Sequence, residues 1–181
     1  MDVAFHAEPF TRKLYAELLP CLQDHWREVA HFPDIELEPD VDRYLAAQGA
    51  GVLRIFTVRA EMPPWAQDTD PRPLVVGYCA FFVQPNPHYR QSLQAAADVL
   101  FLARTVRAAN ALRFLKWCDE QLRAEGVQAV YHRTKVAHDF GKLLERMRYT
   151  AVDVTYVRRL DSRELTPLED PGITLAIPET R

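Results

Sequence analysis

"DVLFLARTVRAANALRFLKWCDEQLRAEG", Asp98 to Gly126, decides the fold. Val99, Leu100, Phe101 and Leu102 form a short apolar run of the kind that makes a buried strand. Further on, Ala108, Ala111, Leu115, Cys118 and Leu122 recur at three- and four-residue steps as the apolar stripe of a helix. Arg113, Lys116, Glu120 and Arg123 then face water. Between the two, Arg107-Ala108-Ala109-Asn110-Ala111 reads as a tight turn. A strand, a turn and a helix in this order can hold a phosphate on backbone N–H groups at the helix N-terminus. Such a turn usually carries two or three glycines, because glycine allows close approach and positive φ. This one has none.

The rest of the chain is read outward from that stretch. Val3 to Phe10 is a candidate opening strand. Tyr15, Leu18, Leu22, Trp26 and Val29 predict a helix over about 11–30, which Pro20 should kink or restart. Asp40 and Asp42 stand where a second helix, Val41 to Gln48, favours carboxylates, and Gly49 and Gly51 end it. Val52 to Ala60 and Leu74 to Val83 are rich in β-branched and aromatic residues and read as strands, joined by a proline-rich loop. Pro85 and Pro87 are expected to break the chain before His88 and Tyr89. Val127 to Lys135 predicts another strand, Phe140 to Met147 a short helix and Ala151 to Leu160 a last strand. Residues 161–181 carry three prolines, five acids and two bases without periodicity. They read as an acidic extension of a single domain spanning 1–160.

At 181 residues the chain has the length of one ordinary domain, and 48% apolar with 26% charged residues is a globular composition. No apolar run reaches the roughly 18 residues of a membrane span, and the N-terminus lacks a signal-peptide pattern. Cys21, Cys79 and Cys118 are unclustered, which suggests reduced core thiols in a cytoplasmic protein. The histidines lack metal-ligand spacing: His25 and His31 fall on different helix faces, and His132 and His138 have no cysteine partners. The net charge of −3 is unevenly spread, with twelve bases against six acids between Arg104 and Leu160. A basic half suits a small polyanionic ligand, and an acidic half a cationic one. Without a long basic run interleaved with aromatics, nucleic acid is disfavoured as a partner.

The order of elements resembles the GNAT superfamily of N-acetyltransferases. The turn at Arg107 answers to that family's acetyl-CoA pyrophosphate loop, [QR]xxGx[GA], and "LFLARTVR" stands where the family shows a strand ending LxVxPxxR. More narrowly, "DHWREVAH", "IELEPDVDRY", "NPHYRQSLQAAADVLFL", "YHRTKVAHDFGKLLERMRY" and "YVRRL" are similar to stretches shared by GNAT proteins of phages and prophages. The resemblance spans about residues 9–160. It implies an α/β fold with a mixed, mostly antiparallel central sheet flanked by about four helices, and acetyl-CoA as acyl donor. Leu102, Ala103, Arg107, Ala108, Ala109, Asn110 and Ala111 would hold that donor. Asn110 takes the place of the central glycine, and asparagine tolerates a left-handed backbone better than most residues.

Transfer requires an amine to lose a proton while attacking a thioester carbonyl, so a base is needed. The resemblance implies a carboxylate on the strand before the loop. Asp98 stands near that position, sharing by alternation a face with Leu100 and Leu102. His132 and His138, flanking the next strand-to-helix segment, are candidate proton relays, since histidine titrates near neutrality. The family tyrosine that protonates the leaving thiolate aligns with Leu144, while Tyr149 aligns with an aromatic packing residue. His88 and Tyr89 are candidates for the acceptor-side wall. The expected activity is acetyl transfer to a primary amine, on a small molecule or a lysine side chain. A GNAT-shaped binding protein of phage origin with little or no turnover, and an enzyme acting on an amine-bearing modified DNA base, are the alternatives. A homodimer is compatible with all three.

Overall fold

The computed structural model describes residues 2–61 and 73–160. The chain divides into two units, residues 1–149 and 150–181. Among its described residues the first contains five strands and four helices: β1 (Val3–Glu8), α1 (Arg12–Val29), α2 (Val41–Gly49), β2 (Leu53–Ala60), β3 (Leu74–Asn86), β4 (Tyr89–Leu102), α3 (Arg104–Ala124), β5 (Ala129–Tyr131) and α4 (Gly141–Arg146). The strands lie in one sheet in chain order, antiparallel from β1 to β4, with β5 parallel to β4. This is the mixed, mostly antiparallel sheet with four helices that the sequence led us to expect. No helix among the described residues is long and apolar enough to cross a membrane.

Two cores separate the faces of the sheet. On one, Leu14, Leu18 and Cys21 of α1 pack with Leu53, Ile55, Tyr78, Ala80 and Phe101, and α2 adds Tyr44 and Leu45. On the other, Phe114, Cys118 and Leu122 of α3 pack on Phe56, Cys79, Phe81 and Leu102. The helix starts follow from side-chain capping: Thr11 Oγ1 accepts the Leu14 N–H at 3.0 Å, and Asp40 Oδ1 accepts that of Arg43 at 2.9 Å. α1 continues through Pro20 as one helix. A charged cluster ties α1 to the first two strands. Arg59 donates through Nε and Nη2 to the two oxygens of Glu8 at 2.6 and 2.7 Å, and to Glu17 at 2.8 Å. The Arg59 guanidinium holds the Glu8 carboxyl below its ordinary range against the opposing effect of burial.

Three expectations are corrected. Pro85 does not end a strand: β3 runs to Asn86, and only Pro87 and His88 separate it from β4, a 14-residue strand that begins at Tyr89. The ladder is already irregular there, with a register shift at Pro85/Asn86, which is where a sheet tolerates proline. In α3 Leu115, Cys118 and Leu122 are buried as expected, but Val106, Asn110 and Phe114 complete the buried set, while Ala108 is exposed. Ala151 to Leu160 forms no strand among the described residues; Val152, Val154 and Tyr156 alternate but are exposed. Alternation predicts which face a strand would bury, not whether a ladder partner exists. The proline-rich loop falls mainly on 62–72, and the extension on 161–181; both lie outside the described residues.

Gly77 fixes the approach of β3 to β4. A Cβ there would stand 2.8 Å from the Phe101 carbonyl oxygen and 3.1 Å from the Leu102 Cα, both backbone atoms. Gly77→Ala is therefore expected to cost about 1–3 kcal/mol by overpacking. Thermal unfolding checks it: Tm should fall by roughly 2–4 °C per kcal/mol in a chain of this size.

Candidate active site

β4 pairs with β5 only from Gln94 to Ala96, opposite Ala129 to Tyr131. Beyond Ala96 the two strands pair no further, so the edge of β4 from Ala97 to Leu102 has no ladder partner on that side among the described residues. At the same point the pairing of β4 with β3 slips. Ala80 faces Val99 and Phe81 faces Ala97, leaving Asp98 as an extra residue. Such a bulge puts two successive residues on one side of the sheet and interrupts strict alternation. Ala97 and Leu100 pack in the α3 core and Val99 in the α1–α2 core, and Asp98 joins the latter side by accepting a hydrogen bond from Tyr44 of α2. The expectation that Asp98 shares a face with Leu100 and Leu102 is thus overturned by the bulge.

The Asp98 carboxylate is exposed, and Oδ2 accepts from the Tyr44 hydroxyl at 2.7 Å. Burial and the Asp98 charge both raise the Tyr44 pKa, so this phenol stays protonated and donates. Its ring is fixed by Phe10 and Phe82, with centroids at 5.4 and 6.2 Å. Nothing in the sequence singled out Tyr44, because its contact with Asp98 crosses 54 residues. Tyr78, 4% exposed on the same face, has a hydroxyl with no partner among the described residues.

At the far end of this edge, α3 starts immediately after the strand. Ala103 is its N-cap and offers no side-chain hydrogen bond. Val106 and Arg107 donate to the Ala103 carbonyl, which leaves the N–H groups of Arg104 and Thr105 without an intrahelical acceptor. The expected turn at 107–111 is instead helical, with its N–H groups engaged in the helix ladder. Among the described residues only Arg148 is a non-glycine with positive φ, so Asn110 needs no left-handed tolerance. It is buried, and its Nδ2 donates to the Val106 carbonyl at 3.0 Å. The physical reason is local: from His88 to Glu125 there is neither glycine nor proline to interrupt the helix. Leu102 and Ala103 mark the junction. The Leu102 carbonyl accepts from Arg107 Nε at 2.9 Å, and Ala103 N–H donates to Val76.

Arg104 and Arg107 both reach Glu28 of α1, at 3.0 and 2.8 Å. Arg107 also lies 5.8 Å from the Phe101 ring centroid, and His25 packs on that ring from α1. Burial lowers the His25 pKa; Glu28 opposes that, and Arg107 and Lys135 add to it.

The other sequence candidates fall elsewhere. His132 packs edge-on against Phe81, Phe140 and Tyr149, on the α3 side rather than with Asp98. Both its ring nitrogens are buried without a partner among the described residues. His138 is exposed in the turn where its N–H donates to Lys135 at 2.9 Å. His88 and Tyr89 sit at the tip of the β3–β4 hairpin, nine or more residues along the chain from Asp98, a span of about 30 Å at strand rise. Leu144 is buried, and Tyr149 packs as expected, its hydroxyl donating to Asp119 at 2.7 Å.

No protein-family profile matches the chain, and no curated protein does. Solved structures do. A ribosomal-protein-alanine N-acetyltransferase from Brucella melitensis biovar Abortus 2308 is 14% identical, covers 88% of this chain and all of its own, and has a TM-score of 0.60. An aminoglycoside acetyltransferase from an uncultured soil metagenomic sample reaches 0.63 at 13% identity, over 90% of this chain and all of its own. A Trypanosoma brucei acetyltransferase reaches 0.58 at 12% identity, over 88% and 100%. At such identities the likeness establishes the fold, which this chain shares with those acetyltransferases.

His132 supplies a test of the aromatic cluster beside β5. Burial lowers its pKa from 6.5 to about 4. Between those values the unfolded chain takes up a proton that the folded chain refuses, so stability is full above about pH 6.5 and falls as pH drops toward 4. The loss is about 3 kcal/mol. His132→Phe should flatten that part of the stability curve, read by urea unfolding at pH 7 and 4.5, with the His25 contribution remaining.

Proposed function

We propose that this protein is an acetyl-CoA-dependent N-acetyltransferase whose acceptor is a primary amine, on a small molecule or a lysine side chain. The observation that carries the reading is the bulge at Asp98. It sets an exposed carboxylate at the point where β4 and β5 part, on the same open strand edge that leads to an uncapped helix start flanked by two arginines. The acetyltransferase fold supports the same reading. Origin in a phage or prophage is proposed from the sequence resemblance, and a cytoplasmic location from the three free cysteines.

The residues present fit the donor's phosphates. The free N–H groups of Arg104 and Thr105 provide the backbone donors that an anion takes at a helix N-terminus, three residues earlier than the sequence motif implied. The guanidiniums of Arg104 and Arg107 add charge-assisted donors. The donor supplies an activated acyl group on a good leaving group. Asp98 then has the proton to manage. With Oδ2 engaged by Tyr44, Oδ1 would be left to take the amine proton directly or through water. A C–N bond forms, the C–S bond breaks, and the departing thiolate takes its proton from solvent, because Leu144 has none to give.

One second reading is favoured by particular observations. Leu144 stands at the position of the family's thiolate-protonating tyrosine, and Glu28 already engages Arg107. Both suit a GNAT-shaped binding protein that retains the fold with little turnover.

Two substitutions separate the readings. Arg107→Glu should weaken acetyl-CoA binding by about tenfold or more, roughly 1.4 kcal/mol, in calorimetry on a folded variant. Unchanged affinity would remove Arg107 from the site. Asp98→Asn should lower kcat by about 10²–10⁴ with donor affinity intact. A wild type that binds acetyl-CoA yet acetylates nothing in a panel of polyamines, aminoglycosides and lysine peptides would establish the binding protein instead.

A further inference from the structure

Glu28 brings a carboxylate into the proposed donor site, between Arg104 and Arg107. It lies in the last turn of α1, with its side chain 16% exposed. Its two oxygens are divided between two guanidiniums: Oε1 accepts from Arg104 Nε at 3.0 Å, and Oε2 from Arg107 Nη2 at 2.8 Å. Arg107 is further fixed by its Nε bond to the Leu102 carbonyl and by the Phe101 ring. Both arginines come from the first turn of α3, whose start has no side-chain cap. A carboxylate shared between two arginines at that place presents the same chemistry as two oxygens of a phosphate.

We propose that Glu28 is an internal anion that occupies the phosphate seat of this protein and is displaced when the donor's pyrophosphate enters. This rests on the acetyl-CoA reading above and extends it to the control of donor binding. Two anions cannot share the pair without repulsion, since two like charges a few ångströms apart interact strongly in a partly desolvated site. Entry of a pyrophosphate therefore releases Glu28 and, with it, the tie between the end of α1 and the start of α3. The same displacement loosens the last turn of α1, from which the segment 30–40 leads to α2 and Tyr44. Donor occupancy is thereby transmitted to the acceptor side of Asp98.

The test compares the full chain with Glu28→Gln, which keeps the side-chain shape and an acceptor oxygen but loses the charge. Calorimetry with CoA and with pyrophosphate alone should show affinities about fivefold higher in the variant, roughly 1 kcal/mol, with the gain shrinking at high salt. Glu28→Ala, checked for folding by circular dichroism, should show the same direction. Hydrogen exchange offers a second readout: saturating CoA should speed exchange over 24–30 in the wild type, and Glu28→Gln should be fast there without ligand. Equal or weaker CoA binding in both variants would overturn the internal anion and leave the donor reading standing, because Glu28 would then merely position the arginines. If neither the wild type nor the variants bind CoA at millimolar concentration, but pyrophosphate binds more tightly to the variants, the seat survives and the donor reading falls. If none binds either ligand, both are lost.

Discussion

The parting of β4 from β5 after Ala96 is the constraint on which the site depends. A parallel pair leaves its ladder when one strand no longer follows the twist of the other, and the bulge at Asp98 bends β4 at that place. One extra residue has two consequences. It turns the Asp98 carboxylate to the α1–α2 side, where Tyr44 holds it. It also keeps Leu100 and Leu102 on the α3 side, so the core beneath the helix is unbroken. Without the bulge, strict alternation would bury Asp98 among the residues packed on Phe114 and Cys118, at a desolvation cost that no partner there would offset.

α1 clasps the sheet at both of its ends. Near its start, Arg59 binds Glu8 and Glu17 from a largely buried position, joining β1, β2 and the helix. At its finish, Glu28 joins Arg104 and Arg107. The two ties differ in kind. Arg59 is 13% exposed and its bidentate grip on Glu8 is reinforced by Thr57, whose hydroxyl donates at 2.6 Å. Arg104 is 80% exposed, so its bond to Glu28 is solvent-screened and readily exchanged for another anion. The stable tie sets the position of the helix, and the labile one lies at the donor seat proposed above.

Much of the fold was legible because it rests on local patterns. The β-branched runs of β2 and β3, the carboxylate of Asp40 before α2 and the apolar spacing of α1 each report a neighbourhood of a few residues. Asp98 became a candidate by a different route, because the family resemblance implies a carboxylate on the strand before α3. Tyr44 and Glu28 were not legible, because their partners lie 54 to 79 residues away and a surface helix gives no sign of which polar side chain will meet a distant one. The start of α3 was misplaced by three residues for a different reason. The family motif placed a turn at Arg107, whereas the absence of any glycine or proline lets the helix extend back to Arg104.

The sequence by itself determined the strand–helix order and the sign of the charge around α3, since these follow from residue type and short-range periodicity. Only the tertiary structure decided which face Asp98 occupies, that β4 begins at Tyr89, that Ala151 to Leu160 gains no ladder, and that Glu28 binds the two arginines. Each of these depends on register or on a contact between distant segments. A shift of one residue in register reverses a side chain's face, and no local pattern records it.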